Sequence, residues 1–397
     1  MSKNNPAWAY GLPAALLLMA PFDLLTSLAM DIYLPVVPAM PEQLGTSPTL
    51  IQLTLSLYMV LLGAGQIVFG PLSDRIGRRP VLLGGAILFS ATSFGLAAAT
   101  NGAVFLGLRL LQAVGASAAL VATFATVRDV YAKRPEGAVI YSLFSAMLAF
   151  VPALGPILGA LIADLSGWRA VFVALGLLTL PALFNALTRW HETRPSATTA
   201  TRPAMLPILR SRAFWTYTLA FSAAMGSFFV FFSTAPRVLI AKAGYSELVF
   251  SLAFGTVAGI MIVTTRFGKR FVARWGVRGC AKRGMLLLLV AAALLGVGQA
   301  FGEPSFATFI LPMWIAAAGI VLTGAVTANG ALADFGECAG TAVAFYFCIE
   351  SLIVGIAGTL AVLAFNGDTA WPLVAYMTLT ATIVLAALTL GRHNQHN

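Results

Sequence analysis

Asp23, Asp31, Arg109 and Glu350 are ionisable side chains set inside long apolar stretches of this 397-residue chain. A charge that far from water is expensive, so each is by default a working residue. Three carboxylates and one guanidinium can bind and release protons, supply a counter-charge, or recognise a polar group on a ligand. At 3.6 residues per turn Asp23 and Asp31 stand roughly 80° apart around one helix, close enough to face a common cavity. Asp31 and Arg109 fall at similar depth, either as parts of a proton-carrying site or as a static ion pair that fixes two helices. For Glu350 a packing role and a proton-linked role are equally open. Enzyme chemistry finds no support: His191, His393 and His396 lie in polar segments, so no apolar stretch holds a histidine for a metal or a nucleophile–base pair. The cysteines Cys280, Cys338 and Cys348 form no CxxC pair and read as small packing residues.

What must position these residues is a set of membrane helices. Only 10% of the chain is charged and 59% is hydrophobic, against about a quarter charged in an ordinary soluble domain. A hydrocarbon core of about 30 Å needs roughly 20 apolar residues in helical form. That ruler gives about twelve spans, near 12–38, 48–70, 80–99, 103–127, 138–164, 168–188, 213–235, 247–265, 284–301, 306–329, 339–365 and 369–391. The runs are continuously apolar rather than alternating, which favours helices over a barrel and makes the chain an all-α membrane protein. The first stretch carries no clear cleavage site and is expected to stay in the membrane.

The net charge of +10 could suggest a nucleic-acid partner. Its distribution indicates topology instead. Assigning loops alternately to two sides leaves Arg169, Arg237 and Lys242 on one side and nearly all the other basic residues opposite. The positive-inside rule then places both termini in the cytoplasm, with the basic loops at the anionic inner leaflet and no nucleic acid involved.

The longest polar stretch, 189–212, holds His191, Glu192, Ser196, Thr198, Thr199, Thr201, Pro195, Pro203 and Pro207 and reads as a linker. It separates a six-helix half at 1–188 from a second at 213–397. A basic, glycine-containing turn recurs in both halves, Asp74-Arg75-Ile76-Gly77-Arg78-Arg79 in the first and Arg270 to Gly276 in the second. In the first turn Gly70 and Gly77 permit tight turns, while Asp74 can accept from a neighbouring helix N-terminus or pair with an arginine. Such a loop is either a latch made in one conformation and broken in another, or plain anchoring by Arg75, Arg78 and Arg79. Gly155 and Gly159 have the small-xxx-small spacing that lets helices approach, and Pro152 and Pro156 remove two backbone donors. Phe221, Met225, Phe228 and Phe232 recur at helical spacing, as an adaptable ligand-binding wall or as lipid-facing packing.

Four patterns carry a family resemblance. Gly70-Pro71-Leu72-Ser73-Asp74-Arg75-Ile76-Gly77-Arg78-Arg79, the Arg109 segment Leu108 to Gly115, Pro152-Ala153-Leu154-Gly155-Pro156-Ile157-Leu158-Gly159 and Asp31-Ile32-Tyr33-Leu34-Pro35-Val36-Val37-Pro38 resemble motifs of the major facilitator superfamily, specifically its twelve-helix drug:proton antiporters. The third departs from the pattern at Ala160, where a second glycine is frequent. Pro21 to Leu25, Val121 to Asp129, Gly226 to Ser233 and Ala344 to Cys348 are similar to the phenicol exporters of that group. The resemblance implies a monomeric exporter of small amphiphilic drugs such as chloramphenicol and florfenicol in the bacterial inner membrane, driven by the proton gradient without a cofactor. It further implies substrate bound at mid-membrane, with Asp23, Asp31, Arg109, Phe228 and Phe232 as substrate-binding candidates. Proton coupling would fall to Asp23, Asp31 and Arg109, with Glu350, which matches no motif of the family, as a further candidate read from its place in a span alone. Conformational switching would fall to Gly70, Asp74, Arg75, Gly77, Arg78, Pro152, Gly155, Pro156 and Gly159. A proton-coupled importer of a small metabolite would share the fold.

Overall fold

The structure is a computed structural model that describes residues 10–131, 135–194, 205–335 and 339–390. Cys338, the linker residues from Pro195 to Pro203, His393 and His396 lie outside these residues. The described residues are helical, without a strand among them.

Six long helices make up the first part of the chain: α1 (Leu12–Asp31), α2 (Pro48–Ile76), α3 (Arg78–Ala97), α4 (Gly102–Tyr131), α5 (Pro135–Ser166) and α6 (Trp168–Arg189). A short helix, Met205–Arg210, precedes α7 (Arg212–Pro236). The next helical run, Glu247–Phe301, spans 55 residues but breaks at Gly276, where φ is +65°. It therefore forms two spans, α8 (247–275) and α9 (277–301). α10 (Leu311–Leu332), α11 (Ala339–Ala364) and α12 (Trp371–Leu390) complete the set. Serine caps open several of these helices: Ser47, Ser211 and Ser246 accept from the backbone N–H three residues on, at 3.2, 3.2 and 3.3 Å.

Large apolar side chains stand exposed on the helices, Leu17, Leu165 and Phe184 among them. A water-soluble protein would bury such surface, whereas lipid is a matching solvent for it. The chain is a multi-pass membrane protein.

Two of the boundary shifts bear on the candidate residues. The first span does not continue as an α-helix to 38: α1 stops at Asp31 and the chain tightens into a 3-10 turn, Leu34–Ala39. Pro35 and Pro38 explain the stop, because each disfavours α geometry in the residue before it and lacks an N–H. Asp31 is thus the last residue of its helix rather than an interior one. In the other direction, α2 runs past 70 to Ile76 with Gly70 and Pro71 inside it. Gly70 therefore makes no turn, and only Gly77, at φ +110°, does.

The chain divides into two compact units, Met1–Tyr33 with Pro41–Ala200, and Leu34–Met40 with Thr201–Asn397. Within the first, Phe22, Leu82, Ala119, Tyr131 and Trp190 join α1, α3, α4 and the end of α6 in one core. Within the second, Ile208 of the short helix packs with Phe214, Phe335 and Tyr346. Each unit also contains one very close helix crossing. A Cβ on Gly85 would come 2.7 Å from the Gly115 carbonyl oxygen and one on Gly115 equally close to that of Gly85, so α3 and α4 meet backbone to backbone. Gly284 and Gly319 repeat the arrangement between α9 and α10 at the same 2.7 Å. Gly77 and Gly85 stand the same distance apart in the chain as Gly276 and Gly284, so the turn and the crossing recur in one register.

Candidate functional site

Arg109 is fully buried in α4. Its Nη1 donates to the Ala29 carbonyl at 3.1 Å and to Gln112 Oε1 at 2.6 Å, while Nε and Nη2 meet no acceptor among the described residues. The guanidinium lies between two aromatic rings, 4.5 Å from the Tyr33 centroid and 4.4 Å from that of Tyr58. Those rings are themselves tied down, Tyr33 sharing a hydrogen bond with Thr54 at 2.7 Å and Tyr58 donating to the Thr26 carbonyl at 3.2 Å. Gln112 is oriented in turn by donating to Ser93 Oγ at 2.8 Å. Desolvated cation–π contacts of this kind hold up to ~2 kcal/mol each. Arg109 is therefore a fixed positive charge.

The anticipated ion pair between Asp31 and Arg109 is absent among the described residues. Asp31 ends α1, and its Cβ packs on α5, 2.8 Å from where a Gly155 Cβ would lie. A Cβ on Gly159 would fall on the carbonyl oxygen of Ile32. The expected close approach at Gly155 and Gly159 is thus made against the very end of α1, next to the carboxylate. Pro152 and Pro156 lie inside α5, which continues through them. Asp23, two turns earlier on α1, is buried with Oδ2 unpaired. Glu350 on α11 is buried too; it accepts from Ser351 Oγ at 3.1 Å and has no cationic partner among the described residues.

Three members of the aromatic stripe of α7, Phe221, Met225 and Phe228, are half-buried on a helix whose neighbouring positions are buried. Phe221 stacks on Tyr346 of α11 at 5.0 Å, whereas Phe228 and Phe232 both lie 6.2 Å from Phe254 of α8. Of the apolar window of this span 78% is buried, more than in the other spans among the described residues, so lipid is not the main neighbour of the helix as a whole. Phe232 is core; Phe228 stays half-buried.

At the α2–α3 turn, Arg78 is buried and gathers three partners. Its side chain pairs with Asp74 at 2.5 Å and with Asp129 at the end of α4 at 2.8 Å, and donates to Ser73 Oγ at 2.8 Å. Asp74 thus takes the arginine, not a helix N-terminus. The N-terminus of α3 is taken by Glu192, from the stretch after α6, whose carboxylate accepts from the backbone of Arg78 at 2.8 Å and of Arg79 at 3.2 Å. A carboxylate there satisfies orphan donors and meets the positive end of the helix dipole. A side chain on Gly77 would collide with it. Arg79 donates to the Leu187 carbonyl at 2.8 Å, and Arg194 to the carbonyl of Arg75. What read as the start of a linker is therefore bound to the turn. Replacing Glu192 by Ala should cost about 1 kcal/mol of stability. Gly77→Val should do the same more severely, since it adds a strained φ. Melting of the purified variants checks this; a wild-type melting temperature for Glu192→Ala would show the contact to be idle.

Sequence reasoning missed Glu192, Asp129, Tyr33, Tyr58 and Gln112. Gln112 had a signal, standing three residues from Arg109 on the same helical face. Glu192 had one also, as a lone acid among basic residues.

The sequence profile of the Major Facilitator Superfamily matches residues 22–359. A chloramphenicol resistance protein of Pseudomonas aeruginosa is 48% identical over 394 residues, 99% of this chain and 94% of that one. The multidrug resistance protein MdtL of Escherichia coli is 27% identical over 350 residues, covering 86% of this chain and 88% of its own. Among solved structures, a bacterial homologue of the human lysosomal transporter Spinster, in an inward-facing and occupied conformation, superposes with a TM-score of 0.76 at 16% identity and 98% coverage of both chains. That last likeness concerns the fold alone.

Proposed function

Because the chain belongs to the Major Facilitator Superfamily, we propose that it is a proton-coupled antiporter that exports phenicol antibiotics, chloramphenicol and florfenicol, from the bacterial cytoplasm by alternating access. The observation that carries the substrate class is the 48% identity, over almost the whole length, with a chloramphenicol resistance protein. It acts as a monomeric transporter and not as an enzyme, in the inner membrane with both termini cytoplasmic, and takes its energy from the proton gradient rather than from a cofactor.

The coupling reading is supported by buried carboxylates that no cation neutralises. Asp23, Asp31 and Glu350 lie within spans, and a carboxylate in that setting changes its binding of protons as its surroundings change. Arg109 supplies a permanent charge that drug and proton both feel. One proton exchanged for a neutral phenicol moves one charge inward, about 2.3 kcal/mol per 100 mV. A tenfold drug gradient costs about 1.4 kcal/mol. One proton is enough. The α2–α3 turn and the α5 glycines bias conformations, and Phe228 offers an adaptable apolar contact.

In inverted vesicles, acidifying the lumen should drive chloramphenicol inward, and a protonophore should abolish the accumulation. Asp23→Asn, Asp31→Asn and Glu350→Gln should differ, with at least one losing uphill transport while still binding drug. Accumulation insensitive to the protonophore would refute the coupling. Uptake in the opposite sense would mark an importer.

A further inference from the structure

The two recurring turns differ in one respect. The turn at Gly77 is neutralised from within, since Asp74 and Asp129 hold Arg78 and Glu192 caps the helix. The turn at Gly276 has no such acids. From Leu248 to Gly302 the sequence contains neither Asp nor Glu, yet it carries Arg266, Lys269, Arg270, Arg274, Lys282 and Arg283, all exposed. Among the described residues no carboxylate pairs with any of them. A seventh cation, Arg278, donates to the Leu388 carbonyl.

The placement is specific as well as basic. The apolar part of α8, 247–265, is roughly 28 Å long at 1.5 Å per residue, which matches a hydrocarbon core of about 30 Å. The cations begin where that run ends. Phe267, Phe271 and Trp275 follow one another at helical spacing alongside them. Phe271 and Trp275 stack at 5.0 Å with 4° between their planes, and Arg283 of α9 lies over Trp275 at 4.6 Å. Arg283 is steadied by donating to the Gly279 carbonyl at 3.2 Å. An aromatic stack that caps an apolar helix is a membrane-interface feature. Here it holds a guanidinium beside a row of cations that have no carboxylate partner among the described residues, with Arg270 itself over Phe267 at 5.8 Å.

We infer that the α8–α9 turn is a binding site for the phosphate groups of anionic lipids, phosphate taking the place that carboxylates fill in the α2–α3 turn. Arg266, Arg270 and Arg274, one turn apart along α8, contact successive headgroups, and Trp275 with Phe271 seats against the glycerol and upper acyl region. The inference uses the proposed topology only to say that the leaflet is the cytoplasmic one.

The test uses the full chain reconstituted in phosphatidylcholine vesicles, with acyl-brominated phosphatidylglycerol as the quencher and Trp275→Phe subtracted to isolate Trp275 fluorescence. At equal mole fraction, brominated phosphatidylglycerol should associate with Trp275 about fivefold or more above brominated phosphatidylcholine, since one basic residue near an anionic surface is already worth about that factor. The Arg266→Gln/Lys269→Gln/Arg270→Gln/Arg274→Gln variant should lose the preference, and Arg266→Lys/Arg270→Lys/Arg274→Lys should keep it. Equal quenching by the two lipids, or a preference that survives the fourfold Gln variant, overturns the inference. So does displacement by inorganic phosphate beyond that by chloride at matched ionic strength, which would assign the site to a free anion. No drug or proton gradient enters the measurement, so its outcome is separate from that of the export assay.

Discussion

Gly159→Ala should reduce export to background although it adds only one methyl group. That methyl would occupy the space of the Ile32 carbonyl oxygen, a backbone atom that cannot rotate away. The only relief is separation of α1 from α5, and forcing extra volume into a packed contact costs typically 1–3 kcal/mol. The displaced segment carries Asp31, so the functional loss should exceed the stability loss. Gly84→Ala is the matched control: nothing lies within 4 Å of its would-be Cβ, and it should transport as wild type. Drug accumulation and melting of the two variants side by side decide the matter. Wild-type export by Gly159→Ala would mean that α1 and α5 are not held at this distance in the working protein.

Arg109→Lys should be nearly as damaging as Arg109→Ala, despite preserving the charge. The planar guanidinium stacks on both Tyr33 and Tyr58 while bonding Gln112 and the Ala29 carbonyl. An ammonium cannot spread its charge over a plane that meets two rings while one of its N–H groups bonds Gln112. Losing one desolvated cation–π contact of about 2 kcal/mol corresponds to roughly a 30-fold change. Uphill export in inverted vesicles should fall at least that far in both variants. Tyr58→Phe retains the ring and should keep most activity, whereas Tyr58→Leu should resemble Arg109→Lys. If Arg109→Lys exports normally, charge alone matters and the aromatic sandwich is incidental.

These two positions also mark how far the sequence could be read. Arg109 stood out because a lone cation in an apolar run has no cheap explanation. Of its partners only Gln112 had a signal, because a tyrosine in a span is unremarkable until the fold brings Tyr33, just past the end of α1, and Tyr58 of α2 to the guanidinium on α4. The depth match that suggested an Asp31–Arg109 pair was a one-dimensional measure, whereas pairing depends on which way α1 ends. Pro35 and Pro38 announced that ending. Gly70 and Gly77 look alike in a motif, but only the backbone shows that one is helical and the other a turn. Glu192 was legible as a charge and illegible as a cap, since its target lies in another loop. The aromatic stripe of α7 had the right period, but period cannot tell that Phe221 leans to α11 and Phe232 to α8.

The paired glycine crossings, Gly85 with Gly115 and Gly284 with Gly319, have a mechanical consequence. Where each glycine faces the other's carbonyl oxygen with no room for a Cβ, there is little slack for sliding, so α3–α4 and α9–α10 should behave as stiff struts during turnover. Spin labels placed on the two members of either strut should give one narrow distance distribution, unchanged by drug or by pH. Broadening would have to be sought in helices that lack such welds.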